Sequence, residues 1–260
     1  MLLTSTKDLP SYPRTIISLV PSQTELLHFF GLEREVTGIT KFCIHPQEWF
    51  KNKPRVGGTK NINIKLVKKL CPDLIIANKE ENVREQIETL ATEFNVWVTD
   101  VNNREDAFVM IKNIGELTHK KSEARNLIRQ IKNQFLNIPH VYKPVRSCYM
   151  IWRNPYMTIG GNTFINDMMK HCGLTNIFSG KDRYPVVDIE EVKANNCKLV
   201  LLSSEPYPFK EDHIKEMQES LPDAKIILAD GEMFSWYGSR LLLAPEYFIK
   251  LRKSLETLSD

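Results

Sequence analysis

From Arg104 to Leu136 the chain runs for 33 residues without a proline and with a single glycine, Gly115. Apolar side chains fall at Ala107, Met110, Ile111, Ile114, Leu117, Ala124, Leu127, Ile128, Ile131 and Phe135. Such spacings place them along one helical stripe. The stripe keeps its phase across Thr118-His119-Lys120-Lys121, which predicts one long helix or two coaxial ones, the second capped by Ser122 with Glu123 in its first turn. Fully helical, the stretch would reach roughly 50 Å at ~1.5 Å per residue, more than one small domain is wide. Strand-like sequence lies on both sides, so its later part is read as a helix joining two lobes. The alternative is a surface helix of one domain.

A helix of that length needs a body on each side, and 260 residues are enough for two small α/β cores. The expected division is an amino-terminal lobe over 1–103, a helical segment over 104–140 and a carboxyl-terminal lobe over 141–260. A formal charge of +3, spread without a basic face or block, argues against nucleic acid. The five cysteines are odd in number and share no CxxC spacing, which argues against a disulfide framework. Residues 1–14 hold no apolar run after a basic start and are interrupted by Pro10 and Pro13. With no span apolar enough for a membrane, that pattern predicts a cytoplasmic chain, or a periplasmic one if the amino-terminus is incomplete.

In the first lobe, Thr15 to Val20 is a short β-branched run ended by Pro21, a buried strand by its composition. Ser22 to Glu25 offers a cap for a helix that Gly31 stops. Strands at Val36–Ile39, Asp73–Ala77 and Val96–Thr99 alternate with helices at Ile64–Leu70 and Glu80–Phe94. The second lobe reads likewise: strands at Val145–Trp152, Lys198–Leu202 and Lys225–Ala229, helices at Phe164–His171 and Ile189–Asn195, and a closing helix from Leu241 to Leu258 that Pro245 would kink. An internal repeat links the halves. Ile64, Val67, Lys68, Leu74, Ile75, Ile76 and Glu80 align at one constant offset with Ile189, Val192, Lys193, Leu199, Val200, Leu201 and Glu205.

Functional groups in such sheets sit past the carboxyl ends of strands. In the first lobe those loops carry Phe42, Cys43, His45, Lys60, Asn78 and Glu80; in the second they carry Trp152, Arg153, Tyr156, Met157, Glu205, Tyr207, Phe209, Trp236, Tyr237 and Arg240. Aromatic faces with a few charges suit a large, flat, partly polar ligand held between the lobes. Cys43 and His45 face a zinc reading, but two ligands fall short of the three or four that zinc needs. Cys43, His45, Glu80, Glu205 and Arg240 also supply nucleophile, base and acid types for an enzyme acting on a small molecule in the same cleft.

The segments Ile17 to Leu27 (ISLVPSQTELL), Arg55-Val56-Gly57-Gly58, Pro72 to Ile75 and Gly160-Gly161-Asn162 with Gly173 resemble the helical-backbone metal-receptor family. Its members include the vitamin B12- and ferric-siderophore-binding proteins of ABC importers. The likeness runs from Arg14 over nearly the whole chain and implies two α/β lobes on a rigid helix, a ligand between them, and binding without turnover. The ligand it implies is a corrinoid or iron chelate, with His45 able to reach its metal and no covalent cofactor. Departures are plain. Where B12-binding relatives place first-lobe aromatics stand Phe42, His45, Thr59 and Asn78, and Tyr184 stands for a tryptophan. Importer-linked members dock on a permease through one glutamate per lobe; Glu190 matches the second, but Lys65 occupies the first, which puts productive docking in doubt.

Overall fold

The computed structural model describes residues 1–139 and 143–255. Its first half is built on β1 (Ile16–Ser18), α1 (Pro21–Phe29), β2 (Val36–Ile39), α2 (Gln47–Asn52), α3 (Ile64–Leu70), β3 (Leu74–Asn78), α4 (Arg84–Ala91) and β4 (Val96–Thr99). All pairings are parallel, in the order β2-β1-β3-β4. Central β1 and β3 are buried throughout, which is why they read as unbroken apolar runs rather than alternating ones. Pro21 ends the strand by opening α1 at its first turn, where a missing N–H costs nothing. Asn63 caps α3 by accepting from the Leu66 amide at 3.0 Å.

The helical run divides into α5 (Arg104–Leu117) and α6 (Lys121–Leu136). His119 takes the left-handed conformation, φ 56°, while the Lys120 amide donates back to the Gly115 carbonyl at 2.7 Å and the His119 amide to Glu116. That is a Schellman-type stop with histidine where glycine is usual. The sequence predicts one long helix or two coaxial ones; the two helices are not coaxial. A Cβ on Gly115 would lie 2.5 Å from the Ala124 Cβ, whereas nine residues of continuous helix would separate them by roughly 13 Å. Thus α5 and α6 turn on each other at the glycine, and the long element is α6 alone, 16 residues or roughly 24 Å.

The second half comprises β5 (Val145–Met150), α7 (Phe164–His171), β6 (Leu174–Asn176), α8 (Ile189–Ala194), β7 (Leu199–Ser203), α9 (Glu211–Ser220), β8 (Lys225–Ala229), α10 (Gly231–Ser235) and α11 (Ala244–Lys253). Its sheet is also parallel, in the order β6-β5-β7-β8, the same pattern as the first. The internal repeat maps α3-β3 onto α8-β7. It extends to the caps: Asp188 holds the Glu191 amide at 2.7 Å as Asn63 holds that of Leu66. The sequence reading missed α2, β6, α9 and α10. It also began the closing helix early, since α11 starts at Ala244 with Pro245 in its first turn, so no kink arises. The stretch from 256 to Leu258, expected in that helix, and the expected lobe boundary at 140–141 lie outside the described residues.

The chain packs as two units. The first contains Met1–Val101, Glu105–Gln130 and Tyr237–Arg240; the second contains Asn102–Arg104, Ile131–Trp236 and the chain from Leu241. α6 crosses from one to the other after Gln130. Each unit has its own core, around Ile17, Leu19, Ile75 and Ala77 in the first and around Cys148, Met150, Val200 and Leu202 in the second. Among the described residues no helix is long and apolar enough to cross a membrane.

Candidate functional site

In the first unit the loop after β2 presents two apolar side chains to solvent, Phe42 at 50% exposure and Ile44 at 41%. The Lys41 ammonium lies 5.1 Å from the Phe42 ring centroid. Gly58 leaves room for that ring, since a Cβ there would approach it to 3.2 Å. Between them Cys43 turns inward and is fully buried, its Sγ 3.0 Å from Thr24 Oγ1 and 3.1 Å from Thr40 Oγ1. Burial pushes its thiol above the ordinary value of 9.0, so it is not a ready nucleophile, and among the described residues no three His, Cys, Asp or Glu side chains come together to hold a zinc. Both readings of Cys43 as chemistry give way to packing. His45 is half-buried on the same loop.

The loop after β3 is organised by Asn78, read from sequence as a ligand contact. The structure corrects this: Asn78 is buried, its amide nitrogen donates to the Thr99 carbonyl and hydroxyl at 3.1 Å each, and its oxygen accepts from the Glu80 amide at 2.8 Å and that of Glu81 at 3.2 Å. With all four positions spent, Asn78 shapes the loop instead of meeting a ligand. Asn82, unremarked in the sequence, completes the turn by donating to the Leu19 and Thr59 carbonyls. Lys60 donates to the Glu80 carbonyl, so these two predicted residues do come together.

In the second unit the ends of β5 and β7 meet. Trp152, 41% exposed, stands edge-on to Tyr207 with ring centroids 5.6 Å apart. Tyr207 packs in turn on Phe209 at 4.7 Å, and its hydroxyl lies 3.3 Å from His213 Nε2. Arg153 reaches α9, where it donates to both carboxylate oxygens of Glu216 at 2.7 Å. That contact holds the Glu216 carboxyl below the usual range. Val186 is 56% exposed beside them, joined through Met157 to Trp152 by isolated bridges, and Tyr184 is half-buried on the same segment. Gly160 and Gly161 permit this segment to lie close: a Cβ on either would come within 2.1 Å of a carbonyl oxygen, Lys181 or Ser179.

Glu205 lies at the end of β7. Its Oε1 accepts from the Ser235 hydroxyl at 2.6 Å and from the Trp236 indole at 2.8 Å. Desolvation raises its carboxyl above the ordinary 4.5, the two donors pull it partly back, and Glu232 and Asp230 add to the rise. Trp236, read as an open stacking surface, is buried at 6% exposure and its N–H serves Glu205. Tyr237 and Arg240, assigned by chain order to the second lobe, pack in the first unit. Tyr237 is buried there, and Arg240 pairs with Glu25. Lys65 and Glu190 occupy the second positions of α3 and α8, both exposed, with Glu190 at 2.8 Å from Lys193. Ile44, Val186, Glu216 and Ser235 were missed; an apolar β-branched residue in a polar loop was the available signal for the first two.

Two parallel sheets of matching order, each with side chains gathered at its strand ends, define the two-lobed α/β solute-receptor class. The chain belongs to the periplasmic binding protein family, whose model matches residues 16–224. It is 24% identical over 239 residues to a vitamin B12-binding protein of Photorhabdus laumondii subsp. laumondii, covering 90% of this chain and 86% of that one. Its fold matches the periplasmic vitamin B12 binding protein of Vibrio cholerae with a TM-score of 0.74 at 21% identity, over 93% of this chain and 97% of that one. It also matches a possible iron-binding, periplasmic solute-binding protein of Staphylococcus epidermidis with a TM-score of 0.78 at 22% identity, over 95% and 100%. These relatives are described as periplasmic or as binding proteins, and the cytoplasmic expectation finds no counterpart among them.

Proposed function

We propose that this chain binds a large, partly apolar metal chelate of the corrinoid type and releases it unchanged. The observation that carries the reading is the exposure of Phe42 and Ile44 in one unit and of Trp152 and Val186 in the other, all in loops following strands. Covering water-facing aromatic and branched side chains with a flat apolar surface lowers the free energy. Relatives described as B12-binding support the ligand class. In this reading Trp152, Tyr184 and Tyr207 of the second unit and Phe42 of the first offer apolar contact to a ring, Lys60, Glu80 and Glu205 offer polar contact, and His45 offers an imidazole for its metal.

The enzyme alternative loses Cys43 as its nucleophile, and Arg153 and Arg240 are each engaged with a carboxylate. Docking on an importer permease is disfavoured in this reading, because Lys65 sets a cation where the matching helix carries Glu190. Equilibrium dialysis against cyanocobalamin tests the assignment. Saturable binding is expected, weakened by about 2 kcal/mol in Trp152→Ala if that ring is an anchor. Equal affinity in a folded Trp152→Ala protein would remove the residue from the site.

A further inference from the structure

Glu205 is more ordered than a rim carboxylate needs to be. Two donors from separate positions, Ser235 on α10 and Trp236 just beyond it, converge on a single oxygen, Oε1. The main chain beside it is fixed as well: Ser203 Oγ donates to the Glu205 carbonyl at 2.6 Å and lies 3.0 Å from the Tyr149 hydroxyl. Gly231 is what allows the approach, since a Cβ there would stand 2.6 Å from the Glu205 Cγ. Among the described residues Oε2 accepts no hydrogen bond from a side chain or amide. One oxygen is therefore clamped, and the other is left at the strand end as an acceptor of fixed direction.

Two arginines of the second unit are themselves engaged. Arg153 is held by both oxygens of Glu216, and Arg183 Nη1 donates to Asn102 Oδ1 at 2.9 Å. Asp230 and Glu232 lie close enough to Glu205 to add to the rise of its carboxyl. A ligand edge bearing N–H or O–H donors is attracted to such a place. A carboxylate edge is repelled by the Glu205 carboxylate.

We propose that Glu205 is a specificity-determining residue that selects ligands whose polar periphery presents amide or hydroxyl donors and rejects those that present carboxylates. The inference rests on the binding function proposed above and names the chemistry of the ligand's edge within it. Ser235 and Trp236 are positioning residues, acting through Glu205.

Two corrin probes separate the possibilities: dicyanocobinamide, whose ring carries carboxamides, and dicyanocobyrinic acid, with carboxylates in their place. Affinities for both are measured at neutral pH and constant salt. The wild-type chain is expected to favour the amide ring by roughly tenfold, although its net charge of +3 would by itself favour the acid. Glu205→Gln, which accepts and donates, should bring the ratio near one; Glu205→Asp should keep its direction. Trp236→Phe should lower the ratio part of the way. A ratio unchanged in folded Glu205→Gln, or a wild-type preference for the acid, overturns the proposal while leaving the binding function standing. Failure of the wild-type chain to bind either probe overturns the binding function, and the role of Glu205 with it.

Discussion

Arg240 and Glu25, 215 residues apart, form a two-contact ion pair within the first unit, Nη2 to Oε1 at 2.6 Å and Nε to Oε2 at 3.1 Å. Their side chains are 10% and 20% exposed. Gly238, at φ 120°, lets the preceding turn lie against the Ser22 carbonyl and Leu26. A four-residue segment of the late chain is thereby fastened to α1. Removing one member of a largely buried pair strands the other charge, so Arg240→Ala should cost about 3 kcal/mol. The double variant with Glu25→Ala should cost less than the two single losses together. Denaturant unfolding measures both; a single-variant loss within experimental error would show the pair to be incidental.

At Gly115 two effects oppose each other. Helix propensity favours alanine by about 1 kcal/mol. The added methyl would meet Ala124 Cβ at 2.5 Å and the Lys120 carbonyl at 3.0 Å, and overpacking of that kind costs about 1–3 kcal/mol. Gly115→Ala should therefore lower the melting temperature, and Ala124→Gly should recover part of the loss. A rise in the melting temperature of Gly115→Ala would mean that α5 and α6 do not cross there.

The turn between those helices shows where sequence reasoning stops. Its left-handed position is filled by His119, so no glycine marked the break, and the apolar phase ran on through it. The alternating strands and helices were legible because each is short-range: β-branched runs, apolar residues at helical spacing, and a repeat of constant offset. Side-chain duty was less legible. Asn78 and Trp236 are residue types that bind ligands elsewhere, and only their partners, 21 residues on for Asn78 and 31 back for Trp236, show that they are spent. Nor does chain order reveal that Tyr237 to Arg240 fold back onto the first unit.

Stability should carry the imprint of Glu205. Its carboxyl is raised above 4.5 in the folded chain, so the folded state binds that proton more tightly than the unfolded one. The contribution is fully present below the unfolded value and is lost as pH rises through the folded one. Unfolding free energy measured across that window should fall with pH from this group, and Glu205→Gln should flatten the slope. An identical slope in the variant would mean that Glu205 does not titrate abnormally.

Lys65 bears on partners. At an interface that expects a carboxylate on each lobe, a lysine replaces attraction with like-charge contact, which can cost several kcal/mol. A pull-down against a B12-type permease should recover little wild-type chain and more of Lys65→Glu. Tight, specific capture of the wild-type chain would contradict the expectation.

The central claim, binding of a corrinoid-type chelate without turnover, is tested most directly by native mass spectrometry after mixing the full chain with equimolar cyanocobalamin. The account predicts a one-to-one complex from which unfolding releases cyanocobalamin of unchanged mass. A folded chain that forms no complex, or that returns the ligand altered, would contradict it.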